Sequence, residues 1–473
     1  MTDPQSGSSN VSLRPLVVDL DGTLCRTDTL WETFFAACRA RWWIPLAAPF
    51  WLIAGRTRLK ARMAEIVLPT IESLPWNESV TDALKVARAN GRNCVLATAA
   101  NERIANACAV ELGLFDQVLA SSGSVNLKGK TKADQLVSKF GIGGFDYIGD
   151  SSADLPVWSL AAKKLSVSSL VPPGGERLGT PTSESSFAAW MRLLRVRHWV
   201  KNVLVFVAPI AAHSWANAAG WQAVALTLVA FCAVCSGVYV LNDLFDLASD
   251  RTHPNKRKRP LAAGVLSLAA AFAVSVLLLI GGIAIAWMAG PLVAAVILTY
   301  VAVNVLYTVQ LKRVPVFDVF CLAGLYTLRI VAGAAAVTVP LSTWLVAFSV
   351  FAFLSLALLK RAADIARLDT DEMLPGRGYT GGVAAFVNGF GVSSAIGASL
   401  VLSLYVASDQ VISMYAEPLW LWGLAVVVLL WLARMWRMAM NGTMDDDPVL
   451  FATRDGVSWG CAAVTAICVL LAT

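Results

Sequence analysis

The sequence predicts two unlike parts: an α/β domain, followed by an all-α polytopic membrane bundle of about nine transmembrane helices. Three observations carry this expectation. Of 473 residues, 57% are apolar and only 15% charged, against roughly 45–50% and about 25% in soluble globular domains. From Pro260 to Gln310, and again from Ile330 to Leu359, there is no Asp, Glu, Lys, Arg or His, and a helix needs about 20 apolar residues to cross a bilayer. Residues 1–168 instead alternate short apolar runs with helical periods. Disorder, a disulfide scaffold and a purely soluble enzyme are excluded.

In the first part the runs LVVDL (Leu16–Leu20), NCVLAT (Asn93–Thr98) and FDYIGD (Phe145–Asp150) read as buried strands, each followed by a turn. WWIPLAAPFWLIA, residues 42–54, is too short to span and holds two prolines. It reads as an interfacial segment near the bilayer or as a buried helix face. A Pro/Gly/Ser-rich stretch from Ser169 to Ser186 marks a linker over 169–190. Nine spans follow, near 199–216, 219–241, 265–288, 291–311, 317–337, 342–360, 388–408, 417–436 and 456–473.

The loops orient these spans. Arg251, Lys256, Arg257, Lys258 and Arg259 fill one loop and Lys312 and Arg313 another; Lys360, Arg361, Arg367 and Arg377 bound a third, and Arg434, Arg437 and Arg454 a fourth. The intervening loops carry no Lys or Arg. By the positive-inside rule, the basic loops and the N-terminal domain are cytoplasmic, at the cell inner membrane. The same rule accounts for the net charge of +6, so no nucleic-acid partner is expected. The polar start MTDPQSGSSN has no apolar core of a secretory signal. Cys232 and Cys235 form a CxxC inside a hydrophobic run without a second pair, so neither redox nor zinc chemistry is expected.

The sharpest feature is LNDLFDLASDRTHPNKRKRPLAAG, Leu241 to Gly264. Asp243, Asp246 and Asp250 at i, i+3 and i+7 would share one helix face. Three carboxylates at membrane depth would cost roughly 8–10 kcal/mol uncompensated. A hard divalent cation, Mg²⁺, resolves that cost, held by carboxylates and by the oxygens of a diphosphate. Arg259, pinned by Pro260, is the phosphate-side cation of choice.

The pattern NDxxDxxxD followed by a basic loop and RPLAxG resembles the UbiA superfamily of intramembrane prenyltransferases, over about 190–473. That resemblance implies a helical bundle with a Mg²⁺-diphosphate site built on Asn242, Asp243, Asp246 and Asp250. Members that prenylate aromatics usually carry a second acidic motif. Here the corresponding loop has one acid, Asp318, with Cys321 and Leu322 where another would fall. This segment, the RxxxWVKN run at Arg195–Asn202 and the LRxxAG run at Leu328–Gly333 resemble the decaprenyl-phosphate phosphoribosyltransferase branch. The implied reaction moves phosphoribosyl from its diphosphate to a polyprenyl phosphate. Lys201, Lys312, Arg329, Lys360 and Arg361 are then candidates for the acceptor phosphate. Asp364 stands where that branch tends to have Glu.

In the first part, VVDLDGTL puts Asp19 and Asp21 at a strand end, where open α/β sheets place ligands. With Thr98, Lys132 in KGKTKADQL, and Asp150 and Asp154 in GDSSAD, the pattern resembles the haloacid-dehalogenase superfamily, with residues 28–90 as a helical cap. The resemblance implies Asp19 as nucleophile, Asp21 as general acid/base, Thr98 and Lys132 on the phosphoryl oxygens, and Mg²⁺ on Asp19, Asp150 and Asp154. Lys128 and Lys130 compete for the role of Lys132.

Together these readings predict a two-step enzyme: a phosphoribosyl transferase whose N-terminal domain removes the 5-phosphate of the product. Its partners would be the membrane, a polyprenyl lipid substrate and a diphosphate-bearing co-substrate; assembly into a homo-oligomer is left open. The competing readings are prenyl transfer to an aromatic acceptor such as 4-hydroxybenzoate, a transporter or membrane-anchored regulator, and a first domain kept only for docking.

Overall fold

A computed structural model describes residues 13–122, 125–179, 185–214, 217–366, 373–374, 378–444 and 447–473. The polar N-terminal decapeptide, Arg367 and Arg377 lie outside the described residues. The chain divides into two compact units, Met1–Leu194 with Tyr239–Val274, and Arg195–Val238 with Ser275–Thr473.

The first unit is built on six parallel strands: β1 (Leu16–Val18), β2 (Cys94–Asn101), β3 (Gln117–Ser121), β4 (Asp146–Gly149), β5 (Lys164–Ser166) and β6 (Glu176–Arg177). Their order is β3-β2-β1-β4-β5-β6. Val18 pairs with Leu96 on one side and Ile148 on the other. Parallel strands buried on both faces read as unbroken apolar runs, and β1 and β4 are buried throughout. The order reverses between β1 and β4, so the ends of those two strands open the crevice where such sheets bind ligands. Strand β6 comes from the stretch expected to be linker.

Eight helices accompany the sheet: α1 (Thr29–Ala40), α2 (Ile44–Ile53), α3 (Arg56–Ile66), α4 (Glu78–Ala89), α5 (Glu102–Leu112), α6 (Lys130–Phe140), α7 (Leu155–Trp158) and α8 (Ser186–Leu193). Asp28 caps α1 by accepting from the Leu30 amide at 2.8 Å, satisfying a free donor of the first turn.

The helices of the membrane part are α9 (Val207–Ala211), α10 (Ala218–Phe245), α11 (Leu247–Thr252), α12 (Leu268–Ala289), α13 (Pro291–Val309), α14 (Phe317–Ala336), α15 (Thr343–Ile365), α16 (Ala384–Val406), α17 (Asp409–Met414), α18 (Leu421–Met440), α19 (Pro448–Ala452) and α20 (Gly456–Ala472). Among the described residues seven helical segments are long and apolar enough to cross a membrane, namely α10, α12–α15, Gly381–Val406 and Pro418–Met440. The expected count of about nine is approximate, and two of the expected spans differ from the rest. The first begins as a 3₁₀ run, Val196–Phe206, followed by the five residues of α9. Buried Lys201 and Asn202 and the imino nitrogen of Pro209 interrupt its apolar pattern. Helix α20 is an apolar helix of 17 residues, at the lower end of the range for a crossing of about 17–25 residues.

In the first unit, α1 and α8 pack on the acid-rich segment. Phe35, Ala189 and Leu193 join Val240, Leu244, Leu247, Leu261 and Leu268 in one buried cluster. Phe272 lies 5.5 Å from Trp31 and 5.9 Å from Phe35, ring to ring. Gly264 has φ +69, and a Cβ there would sit 2.7 Å from Arg26 Cβ. Only glycine takes that conformation and that approach at little cost.

Candidate active sites

The first site forms where β1 and β4 end. Backbone hydrogen bonds turn the chain sharply after Asp19, with Leu24 N–H donating to Asp19 O and Cys25 N–H to Leu20 O. Gly22 is required in this turn: its φ is +76, and a side chain would collide with the Asp150 carboxylate. Asp19, Asp150 and Asp154 each present a carboxylate oxygen, all within 4.8 Å of one another. This is the spacing a single hard cation needs, so these residues fit Mg²⁺. Among the described residues no other trio of His, Cys, Asp or Glu is so placed.

Lys132, at the start of α6, reaches Asp19 at 3.0 Å and Asp154 at 3.4 Å. Of the three lysines in KGKTK, Lys132 is the one seated on the acids, and Lys128 lines the cavity. Burial alone would lower Lys132, but Asp19 and Asp154 outweigh it and hold it above its ordinary range. Burial raises Asp19, opposed chiefly by Lys132. Burial, and then the neighbouring Asp28, push Asp21 up to about 7, while its oxygen accepts from the Thr29 amide at 2.7 Å. Asp21 is thus able to hold a proton near neutrality, as a general acid must. Burial, then Asp19 and Asp154, likewise push Asp150 to about 7. A bound cation would reverse that trend.

Thr98 is placed differently from the expectation. It is fully buried in β2, where its hydroxyl accepts from the Ala100 amide at 3.0 Å, and the residue that lines the cavity is Ala99. Three groups here escape a reading of the sequence alone. Tyr147 donates to Asp154 at 2.7 Å and accepts from Lys132 at 2.9 Å; a lone hydroxyl in a wholly buried strand was its one signal. Lys60 and Arg56 of α3 line the cavity, Lys60 donating to Ala99 O at 2.6 Å. Burial lowers Lys60 below its ordinary range.

The second acidic cluster also belongs to the first unit. Helix α10 ends at Phe245 and α11 begins at Leu247, with helical hydrogen bonds running through the junction: Asp246 N–H donates to Asn242 O at 3.0 Å and Asp250 N–H to Asp246 O at 2.8 Å. Asp243 and Asp250 converge: Arg259 donates to Asp243 at 3.0 Å and to Asp250 at 2.7 Å. Both acids are buried and Asp246 is half-buried. The pair fits a cationic partner, and here the guanidinium takes that place. Asn242 lies on the last turn of α10, half-buried. Beside the cluster, Arg251 forks onto Glu32 of α1 at 2.6 and 3.1 Å. Thr27 donates to the same carboxylate at 2.7 Å.

In the second unit the predicted cations separate into three groups. Lys201 meets Asp447 at 2.5 Å, with Lys360 4.0 Å from the same oxygen. Burial alone would raise Asp447, but the two lysines hold it below the ordinary carboxylate range. Arg329 is buried, donating to Asn202 at 2.9 Å and Tyr300 at 3.1 Å, with its guanidinium 4.9 Å from the Tyr300 ring centre. Arg361 and Asp318 form a completely buried pair at 2.8 Å. Tyr379 donates to Asp318 at 2.6 Å and accepts from the Val316 amide at 2.8 Å. Asp364 takes a second Arg361 nitrogen at 2.8 Å. Lys312 lies in the turn Leu311–Arg313, half-buried.

Comparison with known proteins finds two families along the chain. Residues 203–472 match the family model for the UbiA prenyltransferase family, and residues 16–159 match that for haloacid dehalogenase-like hydrolases. The uncharacterized protein y4nM of Sinorhizobium fredii is 36% identical, over 97% of this chain and 91% of its own length. Nodulation protein NoeC of Azorhizobium caulinodans is 37% identical, over 58% of this chain and 90% of its own. Decaprenyl-phosphate phosphoribosyltransferase of Mycobacterium tuberculosis is 36% identical over 38% of this chain, which spans 60% of that protein.

Proposed function

The chain belongs to the UbiA prenyltransferase family, a membrane transferase carrying a haloacid dehalogenase-like hydrolase domain, and from that premise we propose that it works in two steps. The membrane part transfers phosphoribosyl from phosphoribosyl diphosphate to a polyprenyl phosphate. The N-terminal domain then removes the 5-phosphate of that product. Both steps take place at the cytoplasmic face of the inner membrane, the orientation favoured by the basic loops.

One observation carries the choice of donor. Asp318, the single acid of the second loop, is wholly buried and held by Arg361 and Tyr379. With Cys321 and Leu322 where another acid would fall, the segment lacks the second carboxylate of a metal-diphosphate motif, which prenylation of aromatics would call for. The partial likeness to decaprenyl-phosphate phosphoribosyltransferase supports the same donor.

In the first step the C1–O bond of the donor breaks, the diphosphate leaves with the electron pair, and a phosphate oxygen of the acceptor bonds to C1. Asn242, Asp243, Asp246 and Asp250 would hold Mg²⁺, which neutralises the departing diphosphate. Arg259, which bridges Asp243 and Asp250, would bind the diphosphate oxygens. Lys201 and Lys360, both drawn to Asp447, are the cations we assign to the acceptor phosphate. In the second step Asp19 attacks the phosphorus and Asp21 protonates the departing hydroxyl. Water then attacks the aspartyl phosphate, giving its proton to Asp21 and releasing inorganic phosphate. Lys132 holds the phosphoryl oxygens, and Mg²⁺ on Asp19, Asp150 and Asp154 would share their charge.

The donor is tested with the purified chain in Mg²⁺, a polyprenyl phosphate and labelled phosphoribosyl diphosphate. A parallel reaction offers polyprenyl diphosphate and 4-hydroxybenzoate. Label in the lipid fraction, lost in Asp243→Ala, is expected. Transfer only in the parallel reaction would replace this reading with aromatic prenylation.

A further inference from the structure

The cavity above Asp19 holds about 710 Å³, at the upper end of the ~300–1,000 Å³ usual for small-molecule sites. Its lining is of two kinds. Asp19, Asp21, Asp150 and Lys132 are charged, and Arg56, Lys60 and Lys128 add further cations. The rest is apolar: Trp31 and Phe34 of α1, Pro45, Ala48, Pro49 and Leu52 of α2, and Phe272 of α12. A site for a small water-soluble phosphate has no use for so long an apolar wall.

Helix α2 explains that wall. Pro45, Ala48, Pro49 and Leu52 recur at i, i+3, i+4 and i+7, so one helix face lines the cavity. A second face carries Leu46, Phe50 and Ile53, which are 67%, 73% and 85% exposed. Trp42 just before it is 82% exposed. A helix with apolar residues on both faces is not a water-facing cap helix. Arg39 and Arg41 precede it, and Arg56, Arg58 and Arg62 follow, the basic flanks of a segment lying in an anionic lipid interface. Phe272, on the second turn of α12, a helix long and apolar enough to span, lines the same cavity as α2.

We infer that the N-terminal site takes its substrate from the bilayer surface, and that the substrate is a phosphate monoester carried on a prenyl-type lipid through a second, diester phosphate. This rests on the two-step reading and deepens it. The monoester sits over Asp19, the diester meets Arg56, Lys60 and Lys128, and the first prenyl units lie along α2 and Phe272. The exposed face of α2 is seated in lipid. The chemistry is ester hydrolysis: the P–O bond to the sugar breaks, the phosphoryl group passes through Asp19 to water, and the lipid-linked sugar departs with a proton from Asp21.

The test uses the full chain in phosphatidylcholine–phosphatidylglycerol vesicles with two probes, ribose 5-phosphate and a farnesyl-phosphoryl ribose 5-phosphate. Phe50→Ser combined with Ile53→Ser alters only exposed side chains that do not line the cavity. We expect this variant to raise KM for the farnesyl probe about tenfold or more and to leave ribose 5-phosphate hydrolysis as in wild type. Leu52→Asp, on the cavity face, should weaken the farnesyl probe even in detergent. Equal behaviour of both probes in both variants would overturn the lipid-surface assignment while leaving the phosphatase standing. Failure of wild type to hydrolyse either probe would overturn both.

Discussion

The two acidic clusters of the first unit use the same residue types and reach different states. At the sheet, Asp19, Asp150 and Asp154 converge within 4.8 Å and Lys132 stands beside them at 3.0 Å from Asp19. At the end of α10 and in α11, Asp243 and Asp250 converge on Arg259 itself, at 3.0 and 2.7 Å. Parallel strands hydrogen-bonded in register fix where their terminal residues point, so the first cluster is preorganised for a cation. At the junction of α10 and α11, an arginine instead occupies the space between two of the acids. Three carboxylates thus face one lysine in one site, while in the other a guanidinium bridges two.

The largest expected effect breaks one site and spares the other. Asp19→Asn should lower release of phosphate from the lipid product by on the order of 10⁴-fold, while incorporation of labelled phosphoribosyl continues; loss of both activities would mean the sites are not separable. Next, Glu32→Gln leaves Arg251 buried with its partner neutralised. Breaking such a buried pair costs about 3–5 kcal/mol, seen as a lower unfolding midpoint in detergent. The double change Glu32→Leu with Arg251→Met should recover most of it, and an unchanged midpoint in the single variant would show that the pair holds nothing.

Arg259→Gln sharpens the contrast between the clusters. If Arg259 only balances Asp243 and Asp250, Mg²⁺ should bind the variant more tightly and transfer should survive. If it also takes the diphosphate, as assigned here, the donor KM should rise, by a factor corresponding to about 1.5–3 kcal/mol for a charged hydrogen bond. Smallest of the four, Gly22→Ala strains a positive φ and crowds Asp150. A cost of about 1–3 kcal/mol should appear mainly as weaker Mg²⁺ dependence of the phosphatase, with transfer unaffected.

Much of this was legible in the sequence because the chemistry sits at element ends that turn residues mark. DLDGT placed Asp19 after a strand, and GDSSAD placed Asp150 and Asp154 after another. NDLFDLASD identified the second cluster by spacing alone. What spacing could not supply was the bridge from Arg259 to Asp243 and Asp250, because the 3.6-residue period says nothing about how a following loop folds back. Nor could apolar content reveal the 3₁₀ run Val196–Phe206 around buried Lys201 and Asn202. Thr98 was expected on the phosphoryl group, yet its hydroxyl caps a neighbouring amide, a local competition that strand patterning does not resolve. The pairing of Lys201 with Asp447 joins residues 246 apart in sequence, and Glu32 with Arg251 joins residues 219 apart. Such pairs are tertiary facts. The segment 42–54 was open between bilayer and core, and the exposed face of α2 favours the bilayer.

The central claim is that one chain makes a lipid-linked phosphoribose and then dephosphorylates it. It is tested most directly by the mass of the lipid product formed from phosphoribosyl diphosphate and polyprenyl phosphate, in wild type and in Asp19→Asn. The account predicts a polyprenyl-phosphoryl ribose from wild type and the same lipid heavier by one phosphate from Asp19→Asn. A product that keeps its 5-phosphate in both proteins would contradict it.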